Sequence, residues 1–86
     1  MLDITLKAIY NDAQGGELYM MVTLKAARVN CDLSQRTAAE RIGVSKETLS
    51  LWERGRTFPN AKHIPAIERV YGVSYNDIIF LPQNNA

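Results

Sequence analysis

From residue 21 onward the sequence predicts an all-α domain of five short helices, preceded by an extension of different character. Three observations carry that prediction. Apolar residues recur at helical spacing through residues 22–81. Ser34, Ser45 and Ser74 stand where helices should start, and Gly43, Gly55 and Gly72 where they should stop. The first twenty residues lack the helical period and mostly alternate instead.

Each element follows in turn. Val22, Ala26 and Val29 share a helical face, and "NCDLS" breaks the run. Ser34 caps a second helix whose inward side is Ala38, Ala39 and Ile42; alanines this small invite another helix to pack very close. Gly43 can end it in a left-handed conformation without a Cβ penalty, and Val44 plugs the gap. Ser45 caps a third helix through Arg54, with Leu49 and Trp52 on one face, and Gly55 stops it. "RTFPN" is a loop. A fourth helix runs to about Tyr71 with Ile64, Ile67, Val70 and Tyr71 inward, and Pro65 limits its start. "SYND" reads as a capping box, Ser74 with Asp77, opening a short fifth helix through "IIFL" until Pro82.

The extension reads differently. In "LDITLKAIY", Leu2, Ile4, Leu6 and Ala8 fall on one side and Asp3, Thr5 and Lys7 on the other. "NDAQGG" is turn material and "ELYMMVTL" can return as a strand, which makes a β-hairpin. A second reading stays open. The adjacent Met20 and Met21 lie just before the helical part, and Gly15-Gly16 can be encoded by purine-rich codons, so residues 1–19 could be translated leader. The division expected is 1–20 as extension, 21–82 as a helix-turn-helix domain and 83–86 as tail.

Composition removes several function classes. One cysteine and one histidine can build neither an intrachain disulfide framework nor a usual zinc site. No apolar run approaches the roughly 20 residues of a membrane span, and no secretory leader is visible. A cytoplasmic protein without cofactor or membrane partner is expected. No glycine-rich phosphate loop, paired-carboxylate site or nucleophile-plus-base set appears, so an enzyme is not expected. The net charge of +1 hides an asymmetry: residues 24–62 hold eight Lys/Arg against four Asp/Glu, residues 1–23 one against three, and residues 63–86 one against two. The basic excess sits mid-chain, where a nucleic-acid surface would be sought.

Two short helices joined by a glycine turn are the frame of a helix-turn-helix, in which the first braces the second so that it can enter a major groove. With Leu49 and Trp52 turned inward, Lys46, Glu47, Ser50, Leu51 and Arg54 remain outside. The stretch "LSQRTAAERIGVSKETLSLWERGRTFPN" resembles the helix-turn-helix domain of the Cro and phage-repressor (XRE) family. The match lies in the Leu-Ser-Gln start, the Ala-Glu-x-x-Gly-Val-Ser turn, the Trp-Glu-x-Gly exit and the Pro-Asn that follows. "GVSYNDII" resembles the start of the family's fifth helix. The resemblance covers about residues 23–81 and implies a five-helix lambda-repressor-like domain. Ala38-Ala39 and Pro65 depart from many relatives, and Leu51 stands at a position that is often polar.

The resemblance also implies roles. Ser45, Lys46, Glu47, Ser50 and Leu51 match positions that face base edges, with Thr48 near them. Gln35, Arg36, Arg54, Arg56, Thr57 and Asn60 match positions at backbone phosphate, reached through side chains or N–H groups. Arg28 and Glu53 match a buried structural ion pair. Two residues keep alternatives. Glu47 either accepts from a cytosine amino group or pairs with Lys46 and helps cap its helix. Leu51 meets either a thymine methyl or a protein partner.

The function implied is a duplex-DNA-binding transcriptional regulator of bacterial or prophage origin, a repressor acting as a homodimer on a palindromic operator. The rival reading is the antitoxin of a toxin–antitoxin pair, with the extension covering the toxin. A toxin or an anti-repressor would be the protein partner.

Overall fold

The computed structural model describes residues 6–11 and 17–80, with side chains described for residues 21–80. The chain opens with two strands, β1 (Leu6–Asn11) and β2 (Glu17–Thr23), paired antiparallel from Leu6 opposite Val22 to Asn11 opposite Glu17. Four α-helices follow: α1 (Leu24–Asn30), α2 (Gln35–Ile42), α3 (Lys46–Glu53) and α4 (Ile64–Tyr71). A 3-10 turn at Ala61–His63 leads directly into α4. A second one, Tyr75–Asp77, precedes a two-residue strand, β3 (Ile78–Ile79).

The helices start where the serines stand. Ser34 Oγ accepts from the Thr37 N–H, and Ser45 Oγ from the Thr48 N–H, each at 3.0 Å. Gly43, at φ +97°, closes α2: its own N–H and that of Val44 both donate to the Ala39 carbonyl, at 2.8 and 2.9 Å. A side chain is strained in that conformation, which is why glycine serves there. Pro65 lies in the first turn of α4, where it needs no N–H partner, and the helix is unbroken.

Two boundaries differ from the sequence reading. The first helix begins at Leu24 rather than Val22, because Thr23 turns extended and its hydroxyl accepts from the Ala26 N–H at 3.0 Å. Val22 is therefore a strand residue. The expected fifth helix does not form among the described residues. After one 3-10 turn the backbone becomes extended at Ile78 (φ −98°, ψ 130°), and β3 pairs parallel to β2, Val22 with Ile78 and Thr23 with Ile79. Two consecutive β-branched residues favour extended backbone, and the end of β2 offers an edge to pair with. Ser74 still caps, accepting from the Asn76 N–H, but Glu68 of α4 rather than Asp77 completes the cap by accepting from the Tyr75 N–H at 2.9 Å.

The hairpin thus joins the helical part without a break, since β2 runs through residues 20 and 21 and β3 is its third-strand neighbour. The leader and tail readings fall largely outside the described residues: residues 1–5, 12–16 and 81–86, with Leu81 and Pro82, are not among them.

The core is one cluster. Leu24, Ala26, Ala27, Ala38, Ala39, Ile42, Leu49, Trp52, Ile67, Tyr71 and Ile78 are buried together, with Val22 of β2. The paired alanines of α2 are fully enclosed, and α2 packs against both α3 and α4.

One polar device crosses this core. Arg28 Nε and Nη2 donate to Glu53 Oε2 and Oε1 at 2.7 and 3.1 Å, and Nη1 donates to the Leu33 carbonyl at 2.9 Å. The two side chains are only 11% and 3% exposed. Tyr71 lies close by with its hydroxyl buried and unpartnered. Burial first, and the Glu53 carboxylate second, push that hydroxyl well above its ordinary range, so it stays neutral.

Two stability outcomes follow. Arg28→Ala strands a buried carboxylate and should cost about 3–5 kcal/mol in urea unfolding. The double variant Arg28→Met with Glu53→Leu should recover most of it, and a double variant as unstable as the single would contradict this account. Asp32 has φ 57°, the described non-glycine residue in the left-handed region, and it follows the C-terminus of α1, where the dipole disfavours an acid. Asp32→Gly removes the Cβ penalty and the charge while loosening the unfolded chain. The balance should be about 0.5 kcal/mol stabilising, a rise of roughly 2–4 °C in Tm.

Candidate nucleic-acid interface

The two faces of α3 are sharply divided. Leu49, Trp52 and Glu53 are buried, whereas Lys46 and Glu47 are exposed and Thr48, Ser50 and Leu51 are half-buried. Leu49 and Trp52 anchor the helix to the core, and Glu53 ties it to α1 through Arg28. The outer side therefore presents a cation, a carboxylate, a hydroxyl and an aliphatic chain from a fixed base. Such a set can donate, accept and make apolar contact, which are the interactions that distinguish base pairs in a major groove.

The proposed base-facing residues are not equivalent. Lys46, Glu47, Ser50 and Leu51 lie together along the outward side of α3. Ser45 is exposed but committed: its hydroxyl accepts from the Thr48 N–H and contacts Thr48 Oγ1, both at 3.0 Å. That cap leaves Ser45 little hydrogen-bonding capacity for a base. Glu47 occupies the first turn of α3, where a negative charge suits the helix dipole, so its capping alternative retains a physical basis.

The residues assigned to phosphate form two groups. Gln35 opens α2, half-buried, and its Nε2 donates to Glu53 Oε1 at 3.0 Å; its second amide hydrogen is not used in that bond. Arg36 is exposed beside it. Beyond α3, Arg54, Arg56, Thr57 and Asn60 are all exposed. The backbone of this loop folds back on the helix: the Arg56 and Thr57 N–H groups both donate to the Leu51 carbonyl, at 2.9 and 3.4 Å. Those two N–H groups are thereby engaged, so at Arg56 and Thr57 it is the side chains that are free to reach a phosphate. The Asn60 side chain caps nothing.

Reading the sequence residue by residue left Lys62 and Phe58 unplaced. Lys62 is exposed in the 3-10 turn two residues beyond Asn60, a further cation close in sequence to Arg54 and Arg56. Its signal was in the mid-chain charge count but carried no position. His63, next to it, rests its ring 5.3 Å from that of Trp52 with Nδ1 buried and unpartnered, which makes it a packing residue under α3. Among the described residues no group of His, Cys, Asp or Glu could hold a metal ion, and no helix is long and apolar enough to cross a membrane.

The chain is 30% identical over 64 residues to an uncharacterized HTH-type transcriptional regulator of Archaeoglobus fulgidus, covering 74% of this chain and 90% of that one. It is 29% identical over 56 residues to the HTH-type transcriptional activator BcrR of Enterococcus faecalis, covering 65% of this chain but only 28% of BcrR. No solved structure matches. The helix-turn-helix family model matches residues 24–78, which holds all four helices, the loop after α3 and the first residue of β3, so the chain belongs to the helix-turn-helix family of Cro and phage repressors.

Proposed function

We propose that this chain is a transcriptional regulator that binds duplex DNA in a sequence-specific way, with α3 in the major groove. The observation that carries the reading is the outward face of α3, with Lys46, Glu47, Ser50 and Leu51 on a helix that a buried ion pair holds in place. Arg54 and Arg56, which follow α3 in the chain, and Arg36 of α2 are all exposed. Phosphate contacts from Gln35, Arg36, Arg54, Arg56, Thr57 and Asn60 set the register, and the α3 face reads bases. A single module of this kind buries roughly 600–1,000 Å² on DNA, so one copy binds weakly. Two copies on a palindrome with half-sites about one helical turn apart supply the rest.

The regulator acts as a repressor, by occupying its operator and excluding polymerase. BcrR is named an activator, so the direction of control is tested separately, by transcription from an operator-bearing promoter with and without the protein. A rise in transcript would reverse this part of the reading. The hairpin supports a second reading. Strand β1 pairs on one side with β2 and is the outer strand of the described sheet, and an outer strand is a template for another chain. As an antitoxin the protein would use that edge on a toxin, and a cognate small open reading frame beside the gene would favour this.

Enrichment from random duplexes should yield one palindromic motif; no motif at all would defeat the DNA reading. On that motif Lys46→Ala should relax base preference at its position, a loss of about 1–3 kcal/mol against the matched base. Arg56→Ala should weaken every sequence alike and lower the slope of log K against log salt by about one. Equal losses on operator and random DNA for both variants would contradict that division. Leu51→Gln should change preference at one or two base pairs and leave the unfolding curve unmoved. Unchanged DNA binding in that variant would assign Leu51 to a protein contact instead.

A further inference from the structure

Two apolar side chains of the described residues stand out near the candidate interface, and they differ in company. Phe58, 53% exposed, is held by other rings: it meets Phe80 edge-on at 6.2 Å, and Phe80 lies tilted on Tyr75 at 5.2 Å. The loop after α3, the turn Tyr75–Asp77 and the residue after β3 meet there. Leu51 is half-buried, yet it is not among the part-buried apolar side chains that pack on the core. It follows Glu47 by four residues on α3, which sets it about 6 Å along the helix and about 40° round it.

The Glu47 carboxylate is equally uncommitted. Among the described residues it has no hydrogen-bond or ion-pair partner. The hydrogen-bonded cap of α3 belongs to Ser45, whose hydroxyl accepts from the Thr48 N–H.

We propose that Glu47 and Leu51 form one composite reader of pyrimidines: the carboxylate accepts from a cytosine amino group, and Leu51 covers the C5-methyl of a thymine within two base pairs of it. The proposal deepens the DNA reading above and rests on it. The chemistry of the groove selects these groups. Guanine presents two acceptors there, thymine an acceptor, and adenine an amino group beside an acceptor nitrogen. A carboxylate is repelled by each of those acceptors, whereas cytosine shows it an amino donor alone. For Leu51 the choice is simpler, since the thymine methyl is the apolar group that base pairs offer in that groove. Duplex DNA rises about 3.4 Å per base pair, so a helix lying along the groove sets the two contacts one or two pairs apart.

A protein partner fits this pair of side chains less well. Covering Leu51 with an apolar surface would also desolvate the Glu47 charge four residues away. Base edges put polar and apolar groups side by side at the required spacing. What Leu51 meets is the methyl group, whichever pyrimidine carries it, so 5-methylcytosine serves as thymine does. Cytosine methylation at that place in an operator becomes a signal the protein senses.

The test uses the full chain and the motif enriched from random duplexes. Each thymine of one half-site is replaced in turn by deoxyuridine, which lacks only the methyl. At one of them the wild-type protein should lose about fourfold, the effect of one methyl-sized group left unburied. At the same place 5-methylcytosine should be preferred to cytosine by a similar factor. Leu51→Ala should bind the thymine and deoxyuridine duplexes alike. Replacing the neighbouring cytosine by thymine, which turns an acceptor toward the carboxylate, should weaken the wild type about tenfold or more and Glu47→Ala hardly at all. Indifference of the wild type to deoxyuridine at every position overturns the proposal and leaves the DNA reading standing; this arm needs no variant to fold. A Leu51→Ala that still prefers thymine to deoxyuridine overturns it too, as does a preference for thymine without one for 5-methylcytosine. So does a motif with no cytosine within two pairs of the sensitive thymine, or an equal loss by wild type and Glu47→Ala at that cytosine. A protein that enriches no motif defeats the DNA reading itself, and this proposal with it.

Discussion

Everything outward-facing on α3 depends on one buried ion pair. Arg28 reaches from α1 to grip both carboxylate oxygens of Glu53, and its third nitrogen holds the Leu33 carbonyl in the turn before α2. Gln35, at the start of α2, adds a second donor to Glu53 Oε1. Three helices, α1, α2 and α3, therefore meet at one carboxylate, and the guanidinium that holds it also ties in the turn before α2. A pair so deeply buried adds little net stability over apolar residues of similar volume. What it does supply is direction, because a bidentate guanidinium accepts the carboxylate in one orientation only. An eight-residue helix whose outer side must stay polar has few apolar anchors, and Leu49 and Trp52 alone leave it free to roll. The ion pair removes that freedom.

The same economy of contacts governs the caps. Ser34 and Ser45 use identical geometry, each accepting from the N–H three residues on and contacting a threonine hydroxyl. This fixes where α2 and α3 begin relative to the Gly43 turn, and so fixes which residues of α3 face outward. It also takes Ser45 largely out of competition for bases. The face proposed to read bases narrows to Lys46, Glu47, Ser50 and Leu51.

Most of this was legible from the sequence, for physical reasons that vary by element. Helices α2, α3 and α4 have serine or proline starts, glycine stops and a 3.6-residue period, signals that act locally and agree with one another. The start of α1 was misplaced because Val22 fits the helical period as well as it fits a strand, and only pairing with β1 and β3 decides between them. The last element failed for a similar reason. Ser74 and Asp77 make a convincing helix start, but Ile78 and Ile79 gain a strand partner that lies more than fifty residues away in sequence. The exposed Phe58 left no signal either, since exposure depends on where three distant segments settle. Local chemistry is written in the sequence; competition between partners is not.

Leu51 joins the two halves of the candidate interface more closely than its side chain suggests. Its side chain lies half-buried between Glu47 and Arg54, on the face proposed to read bases. Its carbonyl holds the loop by accepting from both Arg56 and Thr57. The loop that carries the proposed phosphate contacts is thus tied to the helix that carries the proposed base contacts, within its last turn. On DNA the two would move as one rigid unit, so a shift of α3 along the groove would drag Arg56 and Thr57 off their phosphates. Phosphate contacts carry no sequence information of their own. Coupled through the Leu51 backbone, they would still penalise a wrong register, and discrimination would reach beyond the few side chains that touch bases.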